Sequence, residues 1–408
     1  MLDFAKKIFR GDRVIWMIFL FLCLISIIEV YSASSMLTFR TSFWQPIIKH
    51  TMFLLAGTVV VLLVHSLNPK YFWIFIIALP FVWILLIAAQ FIGHTVNDAN
   101  RYIFGFQPSE LAKLSLISCV AFFLNRQKGK ISESLSFKWI WGLTIATCIL
   151  IFRDNLSTAA ILYCVVVVMM FVGQVSLRRM GILILATGAF AVVLFSCIWF
   201  TPDLAKNIGL GRGITWVDRI KNHKADPEIT KDGKIPDPIF QSTMAKIALA
   251  RGGLFGKMPG NSRLSDFLPQ AYSDFIYAII IEETGILGGI FVLSLYVFLF
   301  IRAGTIADRC HKPFPKLLVL GCALMIGIQA LVNMAVSVGL MPVTGQPLPL
   351  ISKGGSSILV TCAFIGIILS VSRFENPRGV KQEAAFDEEF EEERLLADEE
   401  DDLEFQPI

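Results

Sequence analysis

The chain has 408 residues, 55% hydrophobic and only 17% charged, with a mean hydropathy of +0.67. Soluble domains carry roughly 25% charged residues, so the composition excludes an ordinary soluble enzyme and points to an integral membrane protein with no nucleic-acid partner. The formal charge of +4 hides two opposed regions: Glu383–Glu404 holds thirteen of the 32 acidic residues and one basic one, which leaves the rest strongly basic.

Runs near the ~20 apolar residues that cross a bilayer fall at about 14–33, 46–66, 71–93, 108–124, 138–153, 157–174, 181–200, 273–301, 315–340 and 354–373. The expected fold is therefore an all-α polytopic membrane protein of about ten transmembrane helices. The first run lacks a small-residue cleavage pattern and reads as an anchor, not a signal peptide. An even number of spans puts both termini on one side. One set of short connecting segments carries seventeen Lys and Arg residues and the other five, so the positive-inside rule places both termini in the cytoplasm. Residues 1–379 then form the membrane domain. Residues 201–272 make one large extracytoplasmic loop between the seventh and eighth spans, and 380–408 an acidic, solvated cytoplasmic tail. Seven of the eight cysteines lie in apolar runs and none has metal-ligand spacing, so neither a disulfide framework nor a zinc site is expected.

Polar residues gather at the outer ends of these spans. Arg101 and Gln107 precede the fourth run, and Ser109, Glu110 and Lys113 lie in its first turns. Glu110 and Lys113, three apart, share a helix face; they read either as a buried bridge or as a lysine held toward an anionic substrate. Asp154, before Ser157 and Thr158, reads as a helix cap or a pocket acid. "FQSTMAKIALARGG" suggests an amphipathic helix on the outer surface, with Met244, Ile247 and Ala248 on its apolar side and Gln241, Ser242, Lys246 and Arg251 as polar groups. Gly252, Gly253 and Gly256 follow, and backbone amides bared by glycines are suited to a phosphate.

Asp274 opens the eighth run and Glu282 and Glu283 lie about two turns deeper. A carboxylate at the lipid–water boundary reads as a simple cap or as a general base whose pKa desolvation raises. Asp274 and Glu282 are roughly 12 Å apart along a helix, too far for the roughly 5 Å carboxylate pair of a retaining glycosidase. Lys353, Ser356 and Ser357 close the polar set in "PLISKGGSSIL".

"VYSASS", "GFQPSELAKLSLI", "RDNLSTAAI", "FQSTMAKIALARGGLFG", "FLPQAYSDFIYAIIIEETGILGG" and "GLMPVTGQPLPLISKGGSSIL", taken together and in order over about residues 14–375, resemble the signatures of the SEDS family (FtsW/RodA/SpoVE). The resemblance implies a peptidoglycan glycosyltransferase that polymerises lipid II, the undecaprenyl-pyrophosphate-linked disaccharide peptide, into glycan strands at the outer face of the cytoplasmic (inner) membrane. It also implies a class B penicillin-binding protein transpeptidase and other divisome proteins as partners. The family's essential aspartate falls on Asp274, with Gln107–Lys113, Asp154–Ala159 and Lys353–Ser357 on three further family segments. "RDNLSTA" departs from the usual Pro-Asp-Leu-Gly-Thr, Lys353 replaces a tyrosine, and Thr344 stands where some division-type members carry lysine. "VYSASS" and "PVTGQPLPLIS" lean to the division-type members.

The chemistry then expected is inverting. Asp274 takes the proton of the acceptor's 4-hydroxyl, and Arg101, Lys113, Arg251 and Lys353 are the candidate cations for the departing pyrophosphate. No cofactor is required, although a divalent cation (Mg or Mn) on the pyrophosphate is compatible with it. A lipid II flippase, a RodA-type elongation polymerase and a non-catalytic scaffold are the competing readings.

Overall fold

The structure, a computed structural model, describes residues 10–33, 44–92, 94–96, 99–103, 105–126, 133–153, 155–201, 211–223, 237–262 and 271–374. Asp154, Arg263 and the acidic tail lie outside the described residues. Each of the ten apolar runs is helical: α1 (Arg13–Ser32), α2 (Trp44–Ser66), α3 (Ile74–Ile92), α4 (Pro108–Arg126), α5 (Glu133–Phe152), α6 (Leu156–Val172), α7 (Leu177–Phe200), α11 (Ile276–Arg309), α12 (Pro313–Ser337) and α13 (Gly355–Phe374). Between α7 and α11 come α8 (Gly211–Asn222), α9 (Asp237–Gly252) and the one-turn α10 (Ala271–Asp274). A two-stranded antiparallel hairpin, β1 (His94–Val96) and β2 (Ala99–Tyr102), links α3 to α4.

Among the described residues, eight helices are long and apolar enough to cross a membrane, and α6 is a shorter apolar helix. Helix α4 is not among the eight, because Ser109, Glu110, Lys113, Ser115 and Ser118 dilute its apolar content. These five side chains are all buried, so α4 faces protein on nearly every side. It packs with α12 and α13, which are also largely enclosed. Outer helices are inverted in pattern: Leu185, Phe190 and Val193 of α7 and Phe291 and Phe298 of α11 are exposed. Such faces are stable against lipid tails, not water.

Helix α11 differs from the uninterrupted span expected over 273–301. It runs to Arg309 and is broken at Gly285, whose φ of 76° is left-handed. The break is filled by the turn after α9. Amides of Lys257 and Met258 donate to the carbonyls of Glu282 and Glu283, while amides of Ile286 and Leu287 donate to the carbonyls of Gly253 and Leu254. A backbone interruption in lipid is tolerated only where protein satisfies the freed groups, and here the exchange is reciprocal.

Helix α9 therefore does not simply lie on the surface. It docks on α11 through Ala245 and Ala248, which pack with Phe275, Ala278, Ile279 and Val336, while Ile247 is exposed. The contact face is one of small residues, because close approach of two backbones needs it. Gly252 and Gly256 extend that seam: a Cβ on either would overlap a carbonyl of α11.

Candidate active site

The segment between α12 and α13, residues 338–354, is the non-helical core of the site. Gly339, at φ 77°, ends α12, and the prolines at 342, 347 and 349 keep the chain from resuming a helix. Side chains from surrounding elements then satisfy its carbonyls. Arg219 Nη1 donates to Val343 O at 3.1 Å, Asn333 Nδ2 to Gln346 O at 2.7 Å and Gln329 Nε2 to Pro347 O at 3.0 Å. The Tyr296 hydroxyl donates to Pro349 O, and Ser26 Oγ donates to Ile351 O at 2.9 Å. Gln346 Nε2 in turn donates to Asn155 Oδ1 and Thr158 Oγ1 of the α6 N-terminus at 3.2 and 3.0 Å.

Asp274 lies against this segment. Its Oδ2 is 3.5 Å from where a Cβ on Gly345 would sit, its Oδ1 accepts from Ser273 Oγ at 2.9 Å, and its carbonyl accepts from Asn333 Nδ2 at 3.0 Å. The capping reading of Asp274 is corrected by the fold. It ends α10, and the α11 N-cap is Phe275 with no side-chain cap. A one-turn helix intervenes, and the carboxylate is turned to the extended segment. At the α6 start the cap is Asn155, whose Oδ1 accepts from Thr158 N at 3.2 Å.

Two neighbours feel the charge of Asp274. Burial lowers the pKa of Arg219, and Asp274 opposes that shift; burial raises the pKa of Tyr272, and Asp274 adds to it. The Tyr272 ring carries Lys353 Nζ 4.8 Å from its centroid, and its carbonyl accepts from Lys353 N at 3.1 Å. Burial, then the like charge of Lys49, holds the Lys353 ammonium below the usual lysine range. Ser352 Oγ locks the same corner, donating to Ser273 O at 2.6 Å and accepting from Leu348 N at 2.8 Å. A carboxylate that faces Arg219 and Tyr272, with Lys353 held on the far side of that tyrosine, is suited to accept a proton next to a polyanion.

Other candidate residues are placed differently. Lys113 is 1% exposed, 2.7 Å from Glu110 Oε2 and 3.1 Å from Gln329 Oε1. This is the buried-bridge geometry, and Gln329 relays it to Pro347. Gln107 and Ser109 flank the start of α4, the first half-buried and the second buried. Arg251 pairs with Glu282 Oε1 at 3.2 Å, and Gly252 and Gly253 belong to the seam with α11. Gln241 and Ser242 are half-buried on α9, and Ser356 and Ser357 are buried at the start of α13. Arg101 lies on β2, its side chain outside the described set. Among the described residues no three His, Cys, Asp or Glu side chains form a group that could hold a metal ion.

Sequence reasoning missed Arg219, Asn333, Gln329 and Gln346. Gln329 and Asn333 were findable, since two amides four apart on an apolar helix share a face and need partners.

Residues 12–377 match the family described as "Cell cycle protein", FtsW/RodA/SpoVE. The chain belongs to this family. It is a multi-pass membrane protein of the SEDS fold, similar to proteins named "Probable peptidoglycan glycosyltransferase FtsW". One, from Geobacter sp. (strain M18), is 29% identical over 90% of this chain and 98% of its own. Another, from Marinobacter nauticus, is 34% identical over 71% and 70%. A solved chain from "Structural coordination of polymerization and crosslinking by a peptidoglycan synthase complex" shares the fold, with a TM-score of 0.69 at 24% identity over 90% of this chain and 99% of that one.

Proposed function

We propose that this FtsW/RodA/SpoVE member is a division-type peptidoglycan glycosyltransferase, polymerising lipid II into β-1,4 glycan strands at the outer face of the cytoplasmic membrane. The observation that carries the reading is Asp274, held by Ser273 and Asn333 against an extended segment and set beside Arg219. The family relatives named as such enzymes support it further.

Asp274 removes the proton from the acceptor's sugar 4-hydroxyl as that oxygen bonds to the donor's anomeric carbon. The bond from that carbon to the lipid pyrophosphate breaks on the opposite face, so the α-linkage becomes β. The pyrophosphate leaves with the bonding electron pair, and its charge meets Arg219 and Lys353. A divalent cation such as Mg or Mn would ride on the pyrophosphate itself. The likeness to a synthase-complex chain supports a class B penicillin-binding protein as partner.

Purified full-length protein with labelled lipid II tests the reading. Wild type should form polymer, and Asp274→Asn should form none while melting at the same temperature. An asparagine variant polymerising at the normal rate overturns the role of Asp274. Translocation of lipid II without polymer by the wild type would make the protein a flippase.

A further inference from the structure

At the end of the bundle remote from Asp274, Asp12 joins three helices. Its Oδ1 accepts from the amides of Val14 and Ile15 at 3.0 and 3.2 Å, capping α1. Its Oδ2 is 2.7 Å from both Nε and Nη2 of Arg302 on α11. Its amide donates to Ser372 Oγ of α13 at 3.0 Å. Gly11, at φ 94°, keeps the entry tight, because a Cβ there would crowd Ser372 Oγ.

This clamp leaves a cavity of about 260 Å³ lined by Asp12, Arg13, Arg302, Ile306, Arg309 and Ser372. Asp12 balances Arg302. Arg13 and Arg309 are exposed and have no ion-pair partner among the described residues. The cavity therefore holds a surplus of two guanidiniums on a rigid frame. It sits where three spans meet the bilayer surface, with Arg13 opening α1, Arg309 ending α11 and Ser372 near the end of α13.

We infer that this cavity is a binding site for the phosphate of an anionic lipid headgroup. Guanidinium forks match phosphate oxygens in pairs, which lysine anchors do not. Basic cavities between spans on the cytoplasmic side take such headgroups, and the positive-inside count gives this end to the cytoplasm. Simple interfacial anchoring would need neither a cavity nor a clamp across three helices. An acyl chain of the bound lipid would lie along the exposed apolar face of α11, where Val297, Phe298 and Ile301 are uncovered.

The test uses native mass spectrometry of the full chain with phosphatidylglycerol or phosphatidylcholine added, and thermal melting in parallel. Wild type should retain phosphatidylglycerol about tenfold better than phosphatidylcholine, and melt higher in its presence. Arg13→Ala/Arg309→Ala should lose that preference yet melt as wild type in phosphatidylcholine, since both side chains are exposed and have no ion-pair partner among the described residues. Equal retention of phosphatidylglycerol by the wild type and the double variant overturns the site. The same rise in melting temperature with inorganic phosphate overturns the lipid assignment in favour of a free anion. A preference seen only after the acids of residues 383–404 are changed to amides would give the cavity to the chain's own tail and also overturn it.

Discussion

Arg251 Nη1 lies 3.2 Å from Glu282 Oε1, so the last turn of α9 is tied to the turn of α11 that precedes its break. Glu282 is 1% exposed and also accepts from Ser262 Oγ at 2.7 Å. Beside it, Glu283 accepts from Ser32 Oγ, which accepts from Gly260 N at 3.1 Å. The loop after α9 is thus bolted to α1 and α11 by two adjacent acids.

Arg251→Ala should destabilise the detergent-solubilised protein by about 1–3 kcal/mol, less than a fully enclosed pair because the arginine is 32% exposed. Adding Glu282→Gln should restore most of the loss by removing the stranded charge while keeping a partner for Ser262. Melting curves for the single and double variants measure this. An arginine-less protein melting at the wild-type temperature would mean that the tie contributes nothing.

The activity should fall at alkaline pH as Lys353 loses its proton, and that limb should respond to Lys49. Burial and Lys49 both lower the Lys353 pKa. Lys49→Gln removes the like charge, so the pKa rises and the limb moves to higher pH. Lys353→Ala should abolish this limb and lower the rate at neutral pH. Polymerisation rates across the alkaline range read both effects, and a Lys49→Gln profile shifted to lower pH contradicts the assignment.

Two glycines of α11 should behave oppositely. At Gly285 a Cβ would overlap the Leu254 carbonyl at a φ of 76°, so Gly285→Ala should cost more than about 4 kcal/mol or block folding. Gly304 has nothing within 4 Å of its would-be Cβ, and Gly304→Ala should stabilise by about 0.5–1 kcal/mol. Expression yield and melting temperature distinguish them, and equal tolerance at both positions would refute the seam.

The helical runs were legible because a bilayer imposes a length and polarity rule on each one separately. Asp274, Glu110–Lys113 and Lys353 stood out because a charge near lipid needs a reason. Contacts made across long sequence distances were not legible. Arg219 lies in a large loop with ten other basic residues, and nothing local marks it as standing near Asp274. The break at Gly285 was hidden because the surrounding residues are good span formers, and only the incoming turn makes a left-handed glycine necessary. On α9 the apolar side was read correctly at Met244 and Ala248 but not at Ile247, which is exposed, because close approach of two backbones selects Ala245 in its place.

The exchange of backbone partners at Gly285 bears on biogenesis. Ordinarily a span completes its own ladder of amides and carbonyls and can partition into lipid as an independent unit. Here the amides of Ile286 and Leu287 donate to, and the carbonyls of Glu282 and Glu283 accept from, residues 253–258 of the incoming turn. Insertion from a translocon cannot finish this helix alone. Its final desolvation waits for the preceding turn to fold back from the far side, which makes maturation of this corner a late, concerted event.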